Sequence, residues 1–545
     1  MPFLFSLYYS LTDWKIVPPT PRTFVGVDNY VEGYTNGFFL EAVGTSVVMT
    51  VSAVLGSLVV GTALALLLDR SFPGRGIVRT LLITPFLVMP VVSGLVWTNQ
   101  MFNTQFGVLN WVLAGIGLDA FSFVQQAPTW SIVTVLVWQW APFMMLIVLA
   151  GLQGQPLDVL EAARVDGAGP FGVFRYVTLP LLRPYLELGI LLGSIYLIQV
   201  FDHIEVITRW GPGLDQRAVL RVPALDRRRL GVRSGLGLRG DRRHRVHRHR
   251  QPRPSPAVGP HQQGGVGMRN RSWSVTGTVT GVVAWVVALF LFFPVFWMVV
   301  NSFKEEIDAS TSPTLIFTPT LDRYREVTAS TPGLLGFTEA FTNSIVIVGV
   351  STLLVMALAI PAAYALAIRP IPKWRDVLFF FISTKFLPVV GAILPLWVIA
   401  ESLGLLNTRV LLIILYTAMN LPLAVWMLRS FFSEVPHELI EAAQLDGANL
   451  RRQIVDVMLP IVVPGLTATA LLCIIFAWNE YFLAVQLNPA DASTVPIWVT
   501  SNVSTRGNFI AQLSAASTLA SIPVILAGWV AQKRMIRGLA MGAIK

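Results

Sequence analysis

Apolar runs of about 20 residues recur along this chain, and short polar segments separate them. An α-helix of this length spans the hydrocarbon core of a bilayer. Four runs lie in the first part of the chain, near residues 41–68, 77–98, 129–152 and 181–201. Six more lie in the second part, near residues 276–300, 341–368, 377–400, 408–428, 460–484 and 512–530. Because unpaired backbone groups are unfavourable in lipid, the pattern predicts an all-α polytopic membrane protein.

One polar segment between apolar runs occurs twice. Residues 161–184, EAARVDGAGPFGVFRYVTLPLLRP, return without a gap as residues 441–464, EAAQLDGANLRRQIVDVMLPIVVP, 280 positions further on. Pro156 and Pro436 precede the two copies at the same spacing. A repeat of this length indicates two copies of one structural unit. We therefore predict that the chain contains two homologous halves.

Each copy of the repeat predicts a short helix, a tight turn and a second helix. Pro156 and Pro436 suit the first turn of a helix. Gly167 and Gly447 suit the turn that ends it, because glycine adopts positive φ without steric strain. The pattern predicts two compact helical projections that fit a groove on a soluble partner. A loop lying on the membrane is the alternative for a single copy, and the duplication argues against it.

Basic residues in the short loops indicate the orientation of the spans. They cluster in residues 69–79, in residues 369–376 and at the C-terminus. Cytoplasmic loops carry an excess of Lys and Arg, so these loops and both copies of the repeat are predicted to lie in the cytoplasm. The two halves then share one orientation, whereas secondary transporters often contain inverted repeats. An ion-coupled secondary transporter of small solutes remains the alternative function.

The composition supports a membrane protein and places the net charge in one segment. The chain is 54% hydrophobic and 13% charged, whereas a soluble domain is about 25% charged. Residues 217–253 contain thirteen Arg and two Asp, which accounts for the formal net charge of +10. The same segment has no lysine and no Phe, Tyr or Trp on which bases could stack. We therefore predict no nucleic-acid partner.

The Arg-rich segment interrupts the topology. The first half has four complete spans and ends outside, whereas Met268 must begin inside, so one crossing is missing. Arginines do not supply it, because each is strongly disfavoured in hydrocarbon. We predict a first unit at 1–206, with its first span truncated and its last span missing, and a second unit at 268–545 with six transmembrane helices. Residues 207–267 between them are expected to be a frameshift product, or else disordered.

The sequence gives no sign of catalytic chemistry or of a bound cofactor. It lacks the GxxxxGK[ST] loop that binds nucleotide phosphates. His244, His247 and His249 lie among arginines without cysteine or carboxylate partners, so no metal is expected. No Ser/His/Asp or paired-carboxylate arrangement is placed for catalysis.

The duplicated segment resembles the EAA signature of permease subunits in binding-protein-dependent ABC importers. The resemblance covers about residues 1–206 and 268–545. It implies a type-I importer permease fold, two halves related by a pseudo-twofold axis, and a multi-pass location in a bacterial inner membrane. It also implies that the chain is not an enzyme, that ATP and Mg are used by a separate dimer of ATPase subunits, and that an external solute-binding protein delivers the substrate. The residues implied to contact the ATPase subunits are Glu161, Ala162, Ala163, Asp166 and Gly167 in the first half, and Glu441, Ala442, Ala443, Asp446 and Gly447 in the second.

Other segments resemble the sorbitol/mannitol branch of the carbohydrate importers. They include STKFLPVVGAILPLWV, FAWNEYFLAV and the C-terminal stretch in the second half, and FVGVDNY and FDHIEVITRWGPG in the first. The resemblance implies two subunits of a heterodimeric permease joined end to end, which pass a polyol or sugar to the cytoplasm.

A polar cluster late in one span is a candidate substrate site. Polar groups inside a span are unfavourable in lipid and usually face a cavity. Amide and carboxylate groups can hydrogen-bond hydroxyls, and aromatic rings suit the C–H faces of sugars. The candidate residues are Trp478, Asn479, Glu480 and Tyr481, with Gln199 at a similar depth in the first half. Alternatively, Glu480 lies at the outer interface and is hydrated.

Overall fold

The computed structural model describes most of both units. The described residues are 2–13, 23–35, 37–209, 275–311, 313–329, 336–368, 372–386, 388–490, 492–502 and 509–542. Residues 210–267 of the predicted anomalous segment lie outside the described residues.

The described part of the first unit is almost entirely helical. A small antiparallel sheet pairs β1 (Thr12–Asp13) with β2 (Thr23–Phe24). The helices are α1 (Pro2–Ser10), α2 (Asp28–Thr35), α3 (Phe38–Asp69), α4 (Arg75–Leu87), α5 (Pro90–Val96), α6 (Val108–Gly115), α7 (Phe123–Gln126), α8 (Pro128–Gln153), α9 (Leu157–Val165), α10 (Pro170–Val173), α11 (Leu179–Leu197) and α12 (Asp202–Arg209). Two π-helical turns join them, at Trp97–Met101 and Phe174–Thr178.

The second unit repeats the central order of the first but has no counterparts of α6 and α7 among its described residues. Its helices are α13 (Val275–Asn301), α14 (Glu306–Thr311), α15 (Asp322–Thr328), α16 (Phe337–Ala367), α17 (Trp374–Ser383), α18 (Ile393–Ser402), α19 (Arg409–Phe432), α20 (His437–Leu445), α21 (Leu450–Arg452), α22 (Leu459–Trp478), α23 (Phe482–Leu487), α24 (Val495–Ser501) and α25 (Ile510–Gly542). The 3₁₀ turns are Thr384–Phe386 and Val389–Ala392, and a π-helical turn is Gln453–Met458.

The prediction of an all-α polytopic protein is confirmed. Among the described residues, seven helices are long and apolar enough to cross a membrane, and the number rises to ten if each of three bent helix pairs is one span. These ten regions coincide with the ten apolar runs of the sequence.

Two predicted spans, 77–98 and 377–400, are broken rather than continuous. In the first unit α4 meets the following helix at 97°, and in the second unit the corresponding bend is 87°. Pro90 and Pro388 lie at the two breaks. Proline has no N–H to donate and disfavours the helical conformation in the preceding residue, which favours an interruption at both positions.

Two other predicted spans, 181–201 and 460–484, end early. In the first unit α11 ends at Leu197, and α12 follows at an angle of 52°. In the second unit α22 ends at Trp478, and α23 begins at Phe482. The polar residues of the candidate substrate cluster therefore lie between helices in the second unit, not within one.

The halves are packed against each other as well as internally. The most extensive contact between helices is equivalent in the two units: α3 packs along α8 in the first, and α16 packs along α19 in the second. Between units, α25 packs on α4 and α8, and α13 packs on α4. The indole Nε1 of Trp138 in α8 donates to the carbonyl oxygen of Leu291 in α13 at 2.8 Å. Helices of both units thus share one buried apolar core.

Candidate functional site

The two EAA segments form the helix-turn-helix projections that the sequence predicts. In the first, α9 follows Pro156 and is succeeded by a turn at Gly167 with φ +86°. In the second, α20 follows Pro436 and is succeeded by a turn at Gly447 with φ +75°. Positive φ strains residues with a β-carbon, which explains a glycine at this position in both copies. We call these projections the first and second knobs, residues 156–173 and 436–452.

The hydrogen bonds that close each knob are also duplicated. The Ala168 N–H donates to the Ala163 carbonyl at 3.0 Å, and the equivalent Ala448 N–H donates to the Ala443 carbonyl at 2.9 Å. These bonds satisfy carbonyl groups that the end of a helix leaves unpaired. The same backbone geometry therefore occurs at both positions.

The knobs present both charged and apolar side chains to their surroundings. Most of the predicted coupling residues are exposed, namely Glu161, Ala162, Asp166, Gly167, Glu441, Ala442, Asp446 and Gly447, whereas Ala163 is half-buried and Ala443 is buried. Immediately before the Asp-Gly turn, Val165 is 86% exposed and the equivalent Leu445 is 89% exposed. An apolar side chain left this exposed at the end of a helix is available to a partner surface.

A π-helical turn connects each knob to the next span. It occupies Phe174–Thr178 in the first unit and Gln453–Met458 in the second. Both turns lead directly into the Leu-Pro pair that begins α11 or α22. A π-helical turn contains one more residue than the α-helix it interrupts, and such turns are frequent at functional positions.

The ends of α11 and α22 bring the two units together near the candidate substrate cluster. The rings of Tyr196 and Phe476 stack with centroids 4.7 Å apart. The rings of Phe201 and Phe482 meet edge to face at 4.8 Å. Gln199 donates its amide to the Lys385 carbonyl oxygen of the second unit at 2.7 Å. These contacts place the first-half candidate, Gln199, at the boundary between the units.

Two of the predicted substrate residues are held by packing. Trp478 is buried, its ring contacts Phe341, and its Nε1 donates to the Ala520 carbonyl oxygen at 3.2 Å. Tyr481 is buried as well. The structure thus gives Trp478 a contact with α25.

Asn479 and Glu480 differ in what they contact. The Glu480 carboxylate accepts from the Leu483 N–H at 2.7 Å and from the Ala484 N–H at 3.2 Å, so it caps the start of α23. The Asn479 Oδ1 atom is buried and has no hydrogen-bond partner among the described residues. A buried acceptor without a partner is unfavourable. Asn479 is therefore the member of the cluster with free hydrogen-bonding capacity.

A cleft between the units, which the sequence does not indicate, includes Lys385, the residue whose carbonyl oxygen accepts from Gln199. Tyr196 of the first unit and Trp426 of the second contribute aromatic rings to it, and the Lys385 ammonium lies 5.7 Å from the centre of the Tyr196 ring. The complete lining is Leu191, Leu192, Ile195, Tyr196, Ile382, Lys385, Pro422, Leu423 and Trp426. The aromatic residues of this lining lie in apolar runs, so the sequence gives no separate signal for them.

A buried cation lies just beyond α13, on the predicted external side. Lys304 is fully buried, and its Nζ atom lies 4.4 Å from the centre of the Trp297 ring and 5.4 Å from that of Phe317. Burial lowers the pKa of Lys304 to about 8, although the nearby Asp308 raises it. Aromatic faces attract cations, but Nζ has no hydrogen-bond acceptor among the described residues.

Close to Lys304, a carboxylate joins α14 to the last span. The two oxygens of Glu306 accept from the N–H groups of Ala511 and Gln512 at 3.2 and 3.3 Å. Burial raises the pKa of Glu306, and these backbone N–H groups oppose the rise. Free N–H groups at a helix N-terminus favour an anion, so Glu306 stabilises the start of α25.

The sequence matches the family described as binding-protein-dependent transport system inner membrane component over residues 57–224 and 266–540. The chain belongs to this family. It is therefore a multi-pass permease component of an inner-membrane importer, with the type-I ABC importer permease fold in both halves. The match to two separate stretches agrees with the duplicated knobs.

Several permeases are similar to parts of the chain. The probable ABC transporter permease protein y4oQ of Sinorhizobium fredii is 36% identical over 215 residues, which are 39% of this chain and 69% of y4oQ. The probable permease y4oR of the same organism is 35% identical over 263 residues, 48% of this chain and 93% of y4oR. The trehalose/maltose transport system permease protein MalG of Thermococcus litoralis is 32% identical over 260 residues, 47% of this chain and 93% of MalG.

Proposed function

We propose that this chain forms the membrane pathway of an ATP-driven importer for a neutral polyol or related sugar. The observation that carries the proposal is the pair of equivalent knobs, each with an exposed apolar residue before a left-handed glycine turn. A separate ATPase dimer binds the knobs, and an external binding protein supplies the substrate. ATP and Mg belong to the ATPase subunits.

The knob surfaces support docking into grooves on soluble subunits. Val165 and Leu445 project where the chain turns, and burying each would contribute about 1.5–3 kcal/mol. Glu161 and Glu441 lie one helical turn away on the same knobs and are exposed. An apolar centre with charged residues around it is typical of a specific protein interface. The duplication supports binding of two ATPase subunits rather than one.

The boundary between the units supports a substrate site for hydroxyl-rich molecules. The lining of the cleft includes the aromatic rings of Tyr196 and Trp426, and its volume of about 30 Å³ must increase before it holds a polyol. Asn479 offers an unpaired amide oxygen. Aromatic faces bind the C–H faces of sugars and polyols, whereas amide groups hydrogen-bond hydroxyls. The trehalose/maltose name of a relative supports a carbohydrate, and the resemblance to the sorbitol/mannitol branch favours a polyol.

The coupling between the two sites follows from the chain connections. Closure of the ATPase dimer moves the two knobs relative to each other. Each knob continues through its π turn into α11 or α22, and these helices end at the interunit contacts around Gln199 and Asn479. Movement of the knobs therefore changes the boundary between the units by rigid-body rotation of packed helices.

The docking assignment is tested by charging the exposed apolar residues. Val165→Asp and Leu445→Asp should each reduce co-purification of the ATPase and lower substrate-stimulated ATP hydrolysis, because a carboxylate is unfavourable in an apolar groove. Ile316→Asp is the matched control, since Ile316 is almost fully exposed on the predicted external side. Unchanged co-purification of both knob variants would contradict the proposal. Uptake that persists without ATPase would favour the ion-coupled alternative.

A further inference from the structure

A short helix on the predicted external side distinguishes the first unit from the second. Residues 102–127, which include α6 (Val108–Gly115), connect the π turn at Trp97–Met101 to α8, whereas residues 403–408 alone connect α18 to α19. An eight-residue helix is too short to span a bilayer. Helix α6 is therefore a surface element, added to the first unit where its chain leaves the membrane and re-enters it.

Asn110 fixes α6 to both ends of this connection. Its side-chain amide donates to the carbonyl oxygens of Phe102 and Asn103 at 3.2 and 3.0 Å, and to that of Phe121 at 3.1 Å. Its Oδ1 atom accepts from the Phe121 N–H at 2.7 Å. Val108 is buried as well, so this side of α6 packs on the protein. Because the polar groups of the network satisfy one another, they hold α6 in one orientation.

The other side of α6 is apolar and exposed. Trp111, Val112 and Ile116 are 57%, 47% and 68% exposed, and Leu118, just beyond the helix, is 56% exposed. Val112 and Ile116 are four residues apart, so they lie on one side of the helix. Exposed apolar patches on a fixed element mark a contact with a membrane or with another protein. The chemistry around the patch decides between these two partners.

We propose that Trp111, Val112, Ile116 and Leu118, which we call the α6 face, lie in the lipid interface of the outer leaflet. Tryptophan is enriched at membrane–water interfaces, because its ring is apolar and its N–H reaches polar groups. Trp130, in the first turn of α8, is 58% exposed at the point where that span enters the bilayer. Because the chain runs from α6 to this same end of α8, the α6 face continues the lipid-contacting surface of the span.

The charge pattern favours lipid over a soluble protein as the partner of the α6 face. Residues 80–118 contain no Asp, Glu, Lys or Arg, although the bent span ends at Met101. A specific protein interface surrounds its apolar centre with a polar rim. Helices that lie in a lipid interface usually carry a charged face toward water. In α6 the buried Val108 and Asn110 occupy that side, so the protein itself takes the place of the water.

Spin labelling of the full-length chain tests the α6 face. Cys473 is the only cysteine and is buried, so a nitroxide reagent should label an introduced surface cysteine selectively. Ile116→Cys carries the label in one sample and Ile316→Cys in the matched control, because Ile316 is also exposed on the predicted external side. Both proteins are reconstituted in nanodiscs of phosphatidylethanolamine and phosphatidylglycerol. Oxygen partitions into lipid and a nickel chelate stays in water, so the ratio of their collision rates should be several times higher at position 116.

The same label separates lipid from a soluble partner. Val112→Cys provides a second position on the α6 face and should give the same high ratio. Addition of the external binding protein should leave the ratio at both positions unchanged. A ratio at positions 112 and 116 equal to that at position 316 would place the α6 face in water and overturn the proposal. Nickel-chelate collisions that disappear only when the binding protein is added would assign the face to that protein, which would overturn the proposal as well.

Discussion

Gly528 of the second unit lies against Leu87 of the first, and a β-carbon added to Gly528 would come within 2.4 Å of Leu87 Cδ1. Leu87 is fully buried, so its side chain has little space into which it could move. This contact requires a residue without a side chain at the crossing of α25 and α4. The association of the two units therefore depends on the size of residue 528.

We expect Gly528→Val to destabilise the chain by about 1–3 kcal/mol, the usual effect of overpacking a buried contact. Gly349→Val in α16 is the matched control, because no atom lies within 4 Å of a β-carbon built at Gly349. Thermal unfolding in detergent measures the difference. Equal melting temperatures for the two variants would mean that α25 and α4 have room for a side chain at position 528.

The turn of each knob should be sensitive to a β-branched residue. At Gly447, with φ +75°, a residue other than glycine costs roughly 1–2 kcal/mol. Gly447→Val should therefore reduce ATPase co-purification and stimulated hydrolysis while leaving the membrane part folded. Gly172→Val in the first knob is the control, because Gly172 has no positive φ and a β-carbon there would make only an ordinary contact with Ala168 at 3.7 Å. If Gly447→Val matches the control in both assays, the turn does not contribute to docking.

The sequence predicted the knobs well because their geometry is local. A glycine with positive φ at the end of a short helix is determined by neighbours a few residues away, and both copies carried the same pattern. The broken spans were harder to predict. Pro142 and Pro422 lie inside continuous helices, whereas Pro90 and Pro388 lie at breaks, and packing by other helices decides between these outcomes.

Contacts between the units could not be predicted from the sequence. Tyr196 and Phe476 are 280 positions apart and stack across the unit boundary. Both lie in apolar runs, and an aromatic residue in such a run can face lipid, its own unit or the other unit. The pattern of hydrophobic positions is similar in all three environments. The interunit cleft therefore became visible only in three dimensions.

Asn479 should contribute to transport without contributing to stability. Asn479→Leu removes a buried acceptor that has no partner among the described residues, so the melting temperature should stay unchanged or rise. Loss of one hydrogen bond to a substrate hydroxyl, about 1 kcal/mol, should raise the KM for polyol uptake about fivefold. Asn110→Leu is the contrasting variant. The Asn110 side-chain amide donates to three backbone carbonyl oxygens, so its removal should lower the melting temperature. Normal uptake by Asn479→Leu would place the substrate contacts elsewhere.

Lys304 should make stability depend on alkaline pH. Because its pKa is lowered from 10.5 to about 8 in the folded protein, the unfolded chain binds the proton more tightly, and stability should rise as pH increases from about 8 to 10.5. Below pH 8 the full penalty of burying the charge is present. Lys304→Met should stabilise the protein at pH 7 by at most about 3 kcal/mol and remove this rise. Melting temperatures measured between pH 7 and 10.5 test this pH dependence, and Arg325→Met is the exposed control. If the rise in stability persists in Lys304→Met, another titrating group causes it.

The DNA across the junction should contain a shifted reading frame. The composition changes abruptly after Asp215, to Arg, Gly, Pro and His without lysine, as GC-rich DNA read out of frame would give. Resequencing should reveal an insertion or deletion near codons 205–220, and another frame there should encode an apolar span of about 20 residues. If resequencing confirms the present reading frame and no other frame encodes an apolar span, residues 207–267 are a genuine linker.

The π turns at Phe174–Thr178 and Gln453–Met458 make the connection between knob and span adjustable. Each turn stores one residue beyond what an α-helix needs for the same length. If that residue joins the regular helix, the knob rotates by about 100° around the helix axis while the chain stays helical. A permease built this way can convert a small displacement of its ATPase subunits into a screw motion of α11 and α22, without melting either helix.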